Sequence, residues 1–183
     1  MIGVIDACFI IDWSRYRHRD LIKGLFDILY IHEEILAQLR SEISISFTSR
    51  LLAEGKLRLY PWTQSDEDEF LLLRSEIIAN PRIPSLERPD LLCLIIARRA
   101  NAILLSENIG IHRVIEFHPR YRNVKVWTAL ETLEHLVYRG LITLSSEEEF
   151  MRFVREYEQD TNHIFRKRRI ETCLKRLRTW LRR

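Results

Sequence analysis

Five short apolar runs, spaced so that a helix fits between each and the next, limit what this chain of 183 residues can become. They occupy residues 2–5, 28–31, 57–60, 102–105 and 124–127, each too brief for a helix and of a length that suits a strand. Strands joined by helical crossovers pair in parallel. The runs are apolar at successive positions instead of alternating, the pattern of strands covered by helices on both faces. The expected fold is therefore α/β: three αβα layers around a mostly parallel five-stranded sheet, followed by C-terminal helices.

The intervening segments carry helix signals. Ser65 followed by Asp68 predicts a capped amphipathic helix with Phe70, Leu73 and Ile77, stopping near Asn80 and Pro81. Pro89 suits the first turn of another, which runs through Leu92, Ile95 and Ile96 towards Arg99. Thr128 with Glu131 and Ser146 with Glu149 have capping-box spacing, and Gly140 is placed to end the first of these helices. Further on, Ile170, Leu174, Leu177 and Leu181 recur at helical intervals and draw one apolar stripe along a basic helix. No internal repeat or low-complexity linker divides the chain. The expected organisation is one domain over residues 1–140 with a helical extension over 141–183 that ends in a basic tail.

Charge is unevenly spread. Residues 166–183 hold nine Lys or Arg against the single acid Glu171, so a net charge of +3 hides an acidic body. Such a tail offers two uses. Lys167, Arg168 and Arg169 can contact nucleic acid, with Trp180 stacking on a base. Alternatively the stripe packs across the acidic body or a second subunit with its cations outward, the reading favoured for so regular an amphipathic helix.

Several function classes are disfavoured. The longest apolar run, residues 91–97, is far short of the roughly 20 residues that a membrane span requires. The opening MIGVIDACFIID has acids inside its apolar run and lacks the pattern of a secretory signal. Cys8, Cys93 and Cys173 are odd in number and without a CxxC spacing, so neither a disulfide framework nor a zinc site is expected, and a cytoplasmic setting fits. Five glycines leave no Gly-rich phosphate loop after any strand. The six His residues, at 18, 32, 112, 118, 135 and 163, show no paired spacing on one helix face and read as structural or surface groups, with His32 and His112 nearest the expected pocket.

Chemistry enters through acids at the C-terminal ends of strands, where open parallel sheets bind ligands. Asp6 follows the first strand directly, and Asp90 falls in the first turn of the helix after Pro89. Either one alone is explained as a helix cap or a dipole partner. Together, two carboxylates converging on one sheet edge repel unless a cation joins them. Oxygen ligands without a Cys or His cluster select Mg²⁺ or Mn²⁺.

The stretches VIDACFII, YIHEEILAQL and RPDLLCLIIARRANAILLSEN resemble the PIN domain of VapC-like ribonucleases, over roughly residues 2 to 138. The resemblance implies a parallel sheet flanked by helices, Mg²⁺ or Mn²⁺ held by three or four acids, and RNA as substrate. Many such proteins are toxins paired with an antitoxin, and homodimers are common. Asp6 and Asp90 match two of the family's acids. Where the family usually has a Glu, the register places Gln38, and Glu34, one turn earlier on the same stripe, is the expected substitute. Ser106, Glu107 and Asn108 occupy the places of a Ser or Thr, a variable residue and an Asp or Asn. Glu107 is expected to add charge there, with Ser106 and Asn108 in support, while Ile111 stands where a further acid is usual.

The expected activity is metal-assisted hydrolysis of RNA phosphodiester bonds by Asp6, Asp90 and Glu34, with Glu107 as a further metal ligand and Arg88, Arg98 and Arg99 meeting the phosphate backbone. Gln38 and Asn108 support a second reading, a catalytically weakened module of the same fold that binds RNA or a protein partner.

Overall fold

Between residues 1 and 181, the span that the computed structural model describes, five strands form one sheet. They are β1 (Ile2–Ile5), β2 (Ile28–Ile31), β3 (Leu57–Leu59), β4 (Ile103–Leu105) and β5 (Lys125–Trp127), in the order β3-β2-β1-β4-β5 with every pairing parallel. Each strand matches an apolar run, trimmed by one residue in β3, β4 and β5. All three residues of β4 are buried, as the lack of alternation requires when helices cover both faces. Gly3 is needed in β1, because a Cβ there would stand 2.6 Å from the Leu29 side chain.

Ten helices join and flank the strands among the described residues: α1 (Ala7–Arg15), α2 (Ile22–Leu25), α3 (Glu33–Leu36), α4 (Glu42–Ala53), α5 (Gln64–Ile78), α6 (Arg88–Arg99), α7 (Ile109–Phe117), α8 (Ala129–Tyr138), α9 (Glu147–Thr161) and α10 (Lys167–Leu181). On one side α5 packs on α6, and α6 lies against β1 and β4; elsewhere α1 meets α4 and α9, and α8 meets β5 and α2. This is the α/β arrangement expected, a five-stranded parallel sheet between helices. No described helix is long and apolar enough to cross a membrane.

Most of the expected caps are found. Pro89 lies in the first turn of α6, Thr128 and Glu131 form the capping box of α8, and the Ser146 hydroxyl accepts from the Glu149 amide at the start of α9. Gly140 closes α8 with φ of +70°, a conformation costly for any residue with a Cβ. One cap is corrected: α5 starts two residues early, on a box made by Thr63 and Asp66 instead of Ser65 and Asp68. Both pairs have the right spacing. Asp66 is buried beside Arg99, whereas the Ser65 hydroxyl accepts from that same guanidinium.

The C-terminal helix packs on the body. Helix α10 lies against α8 and α9, burying Cys173 and Leu177, with Ile170 and Leu174 half-buried. The stripe thus swings from its expected line, since Cys173 belongs to it and Leu181 is exposed. Trp180 packs at 5.5 Å from the Tyr138 ring, so part of its face is already used by the protein. Arg182 and Arg183, the last two cations of the basic run, lie outside the described residues.

Candidate functional site

One residue past each strand, the sheet register sets Tyr60, His32, Asp6, Ser106 and Thr128 side by side along the C-terminal edge. Asp6 is at the centre of this row and caps α1, its Oδ1 accepting from the Phe9 amide at 2.8 Å. The capping role and the site role therefore coexist, for the second carboxylate oxygen is not needed by the helix. Asp90 reaches the same place from the first turn of α6. The two acids line a cleft of about 480 Å³ together with Cys8, Gln38, Glu87 and Asn108.

Both carboxyls are held above their usual range. Burial pushes Asp6 up to about 6; hydrogen bonds from the Phe9 amide and Ser106 oppose this, and the charges of Asp90 and Glu107 add to it. Asp90 is raised mainly by burial, against hydrogen bonds from Asn108 and the Glu87 backbone. Neither acid has a basic partner among the described ion pairs. Asn108 also accepts from the Gly110 amide at 2.8 Å, which caps α7 and fixes the amide beside Asp90.

The other expected site residues are disposed differently. Gln38 lines the cleft. Glu34 does not: its carboxylate pairs with Arg88 at 2.9 Å, and Arg88 also grips Glu67 and lies 4.2 Å above the Phe70 ring. As a ligand substitute, Glu34 is thus corrected to a structural partner. Glu107 is not among the residues that line the cleft, and its carboxylate accepts from the Ala129 amide at 2.7 Å at the start of α8. The three arginines proposed for the phosphate backbone are also committed. Arg88 is held as described, whereas Arg98 and Arg99 both pair with buried Glu69. Arg98 moreover lines a hollow at the opposite, N-terminal edge of the sheet with Met1, Ile2 and Lys125. A helix of twelve residues is about 18 Å long, so the far end of α6 is remote from Asp90. Of the tail cations, Arg169 pairs with Glu131, while Lys167 and Arg168 are exposed.

One neighbour of the expected acids has no signal in the sequence. His163, in the connector between α9 and α10, lies between Asp12 and Glu107, with ring nitrogens 3.7 and 3.6 Å from their carboxylates. Left-handed Asn162 and the Thr161 hydroxyl, which accepts from the His163 amide, shape the turn that aims it. No local pattern announces this contact, because its partners lie 151 and 56 residues away in the chain.

Among the described residues, no group of three or more His, Cys, Asp or Glu side chains is placed to hold a metal ion. The residues present fit a sparser site. Mg²⁺ binds through one or two carboxylates while keeping several waters, and Asp6 and Asp90 supply two, with the Gln38 amide oxygen as a further hard donor on the same cleft wall. Burial disfavours the charged form of both acids, and a cation bound between them would favour it.

No family model and no curated protein matches this chain. It is similar in structure to a chain in the crystal structure of VapBC2 from Rickettsia felis bound to a DNA fragment from their promoter, with a TM-score of 0.50 and 18% sequence identity. That likeness covers 70% of this chain and 98% of the other, and it supports the PIN-like fold. The remainder of this chain is additional to what is shared.

Proposed function

We propose that the protein is a divalent-metal-dependent ribonuclease of the PIN type, with Mg²⁺ or Mn²⁺ held by Asp6 and Asp90. The observation that carries this reading is a pair of carboxylates meeting in an open cleft without a basic partner, each raised in pKa. When bound, the ion lowers the pKa of a coordinated water and offsets charge on the phosphate. The protein's own residues prepare the place. The Phe9 amide and Ser106 orient the Asp6 carboxyl, and Asn108 orients that of Asp90. Gln38 offers its amide to a phosphate oxygen or a metal-bound water at the cleft wall.

The test is cleavage of a mixed single-stranded RNA pool with added Mn²⁺, comparing the wild type with Asp6→Asn and Asp90→Asn. Cleavage that needs the metal and is lost in both variants is expected. Cleavage that survives in both sinks the assignment of these acids.

A second reading has an observation in its favour. Glu34 is locked in the Arg88–Glu67 network and Glu107 is spent on the α8 cap, so of the four expected acids Asp6 and Asp90 line the cleft, with Glu87 beside them. In that case the same fold serves as an RNA-binding or partner-binding module without turnover. RNA binding in EDTA, with no cleavage in Mn²⁺ and no metal-induced rise in Tm, selects this reading over the first.

A further inference from the structure

The cations of α10 and of the residue before it divide into those held in ion pairs and those that are not. Arg169 donates to the Thr128 hydroxyl at 2.9 Å and pairs with Glu131, Arg176 pairs with Glu134, and Arg178 with Glu147. These three clamp the helix onto α8 and α9 over Cys173 and Leu177. Arg168 and Lys175 are seven residues, or two turns, apart on the outer side of α10, Lys167 opens the helix and Arg166 directly precedes it. All four are exposed, and none takes part in an ion pair among the described residues. Glu171 is the one acid within this group.

Three consecutive cations at the start of a helix are unfavourable in isolation. They repel one another, and the helix dipole disfavours positive charge in the first turn, where α10 has no acid. The docking clamp does not relieve them. A polyanion would, and their location gives it a route. Arg169 touches Thr128 in the row of residues that contains Asp6, and the preceding connector brings His163 to within 3.6 Å of Glu107. The start of α10 therefore lies at the same C-terminal edge of the sheet as Asp6, at its β5 end, next to exposed Ile164.

We propose that Arg166, Lys167, Arg168 and Lys175 form a docking surface for the sugar-phosphate backbone of single-stranded RNA whose chain continues into the Asp6–Asp90 cleft. The assignment rests on the RNA reading of that cleft, and it gives the C-terminal extension a binding role besides its packing one. Affinity at such a surface comes from phosphate contacts and counterion release, with little dependence on base sequence.

The experiment is fluorescence anisotropy of a labelled single-stranded oligouridylate in EDTA, over a range of KCl. It compares the wild type with the triple variant Arg166→Gln/Lys167→Gln/Arg168→Gln, with thermal melts to show equal folding. The triple variant is expected to bind about tenfold more weakly at low salt, with the slope of log K against log salt shallower by about 2, from three lost contacts at about 0.7 each. Wild-type affinity and slope in the triple variant overturn the docking surface, even if RNA cleavage has been demonstrated. Loss of binding in the triple variant, with no cleavage by the wild type, upholds the surface while the nuclease reading fails.

Discussion

Asp6 and Glu69 are both buried carboxylates in contact with the same helix layer, yet they are held in opposite ways. Burial raises both. At Glu69 the Arg98 guanidinium, the Tyr121 hydroxyl and Arg99 outweigh burial and hold the carboxyl down at about 2. At Asp6 two hydrogen bonds are too little, and nearby Asp90 and Glu107 push the same way as burial, to about 6. Helix α6 serves both centres, with Asp90 at its first turn and Arg98 and Arg99 at its last, the arrangement its dipole favours. Burial alone, then, does not mark a functional acid. The absence of compensating charge in an open cleft is what separates Asp6 from a carboxylate that only ties two helices together.

The largest effect is expected at the compensated centre. Glu69→Gln leaves two arginines facing a neutral amide and should cost about 2–3 kcal/mol at pH 7 in urea denaturation, at or below the lower end for a buried pair because both guanidiniums are partly solvated. Glu69 has a depressed folded pKa, so its contribution is complete above the ordinary Glu value of 4.5 and fades as pH falls towards 2. The variant should lack that fading. A Glu69→Gln protein as stable as wild type at pH 7 would remove the contrast between the two acids.

Asp6→Asn should have the opposite sign. The folded pKa of Asp6 is raised, so the stability linked to its protonation is complete below the ordinary Asp value of 3.8 and is lost as pH rises through about 6. Without divalent ions, Asp6→Asn is therefore expected to be more stable than wild type by on the order of 2 kcal/mol at pH 7.5, the gap closing towards pH 4. A gap that stays constant with pH would mean that Asp6 is not electrostatically strained.

A smaller effect sharpens the comparison at the cleft. Mn²⁺ at tenfold excess over its Kd should stabilise the wild type by about 1.4 kcal/mol, seen as a rise in Tm, and should leave Asp6→Asn and Asp90→Asn unmoved. An equal rise in Glu69→Gln is expected, because that acid is bound elsewhere. Stabilisation of the Asp90→Asn protein by Mn²⁺ would relocate the ion.

Local patterns made much of this legible. The apolar runs mark all five strands, and Asp6, Asp90, Gln38 and Asn108 meet in one cleft as the strand ends and the Pro89 helix start imply. For Glu34, the helical stripe says which face it is on but not which cation waits there. Arg88 arrives from 54 residues away. The Thr63 and Ser65 caps were indistinguishable by spacing, and the choice fell to Asp66 burying against Arg99.

By itself, the sequence determined the α/β class, the parallel sheet and the two acids at its edge, since these follow from hydrophobic period, strand length and capping, all set within a few residues. Only the tertiary structure decided which charges are spent and which remain free. Arg98 and Arg99 neutralise Glu69, Arg169 and Arg176 clamp α10 to α8, and His163 enters between Asp12 and Glu107, while among the described residues Asp6, Lys167 and Arg168 have no ion-pair partner. The physical reason is range: a charge is compensated or strained by partners within a few ångströms in space, and in a sheet with crossover helices those partners come from distant parts of the chain.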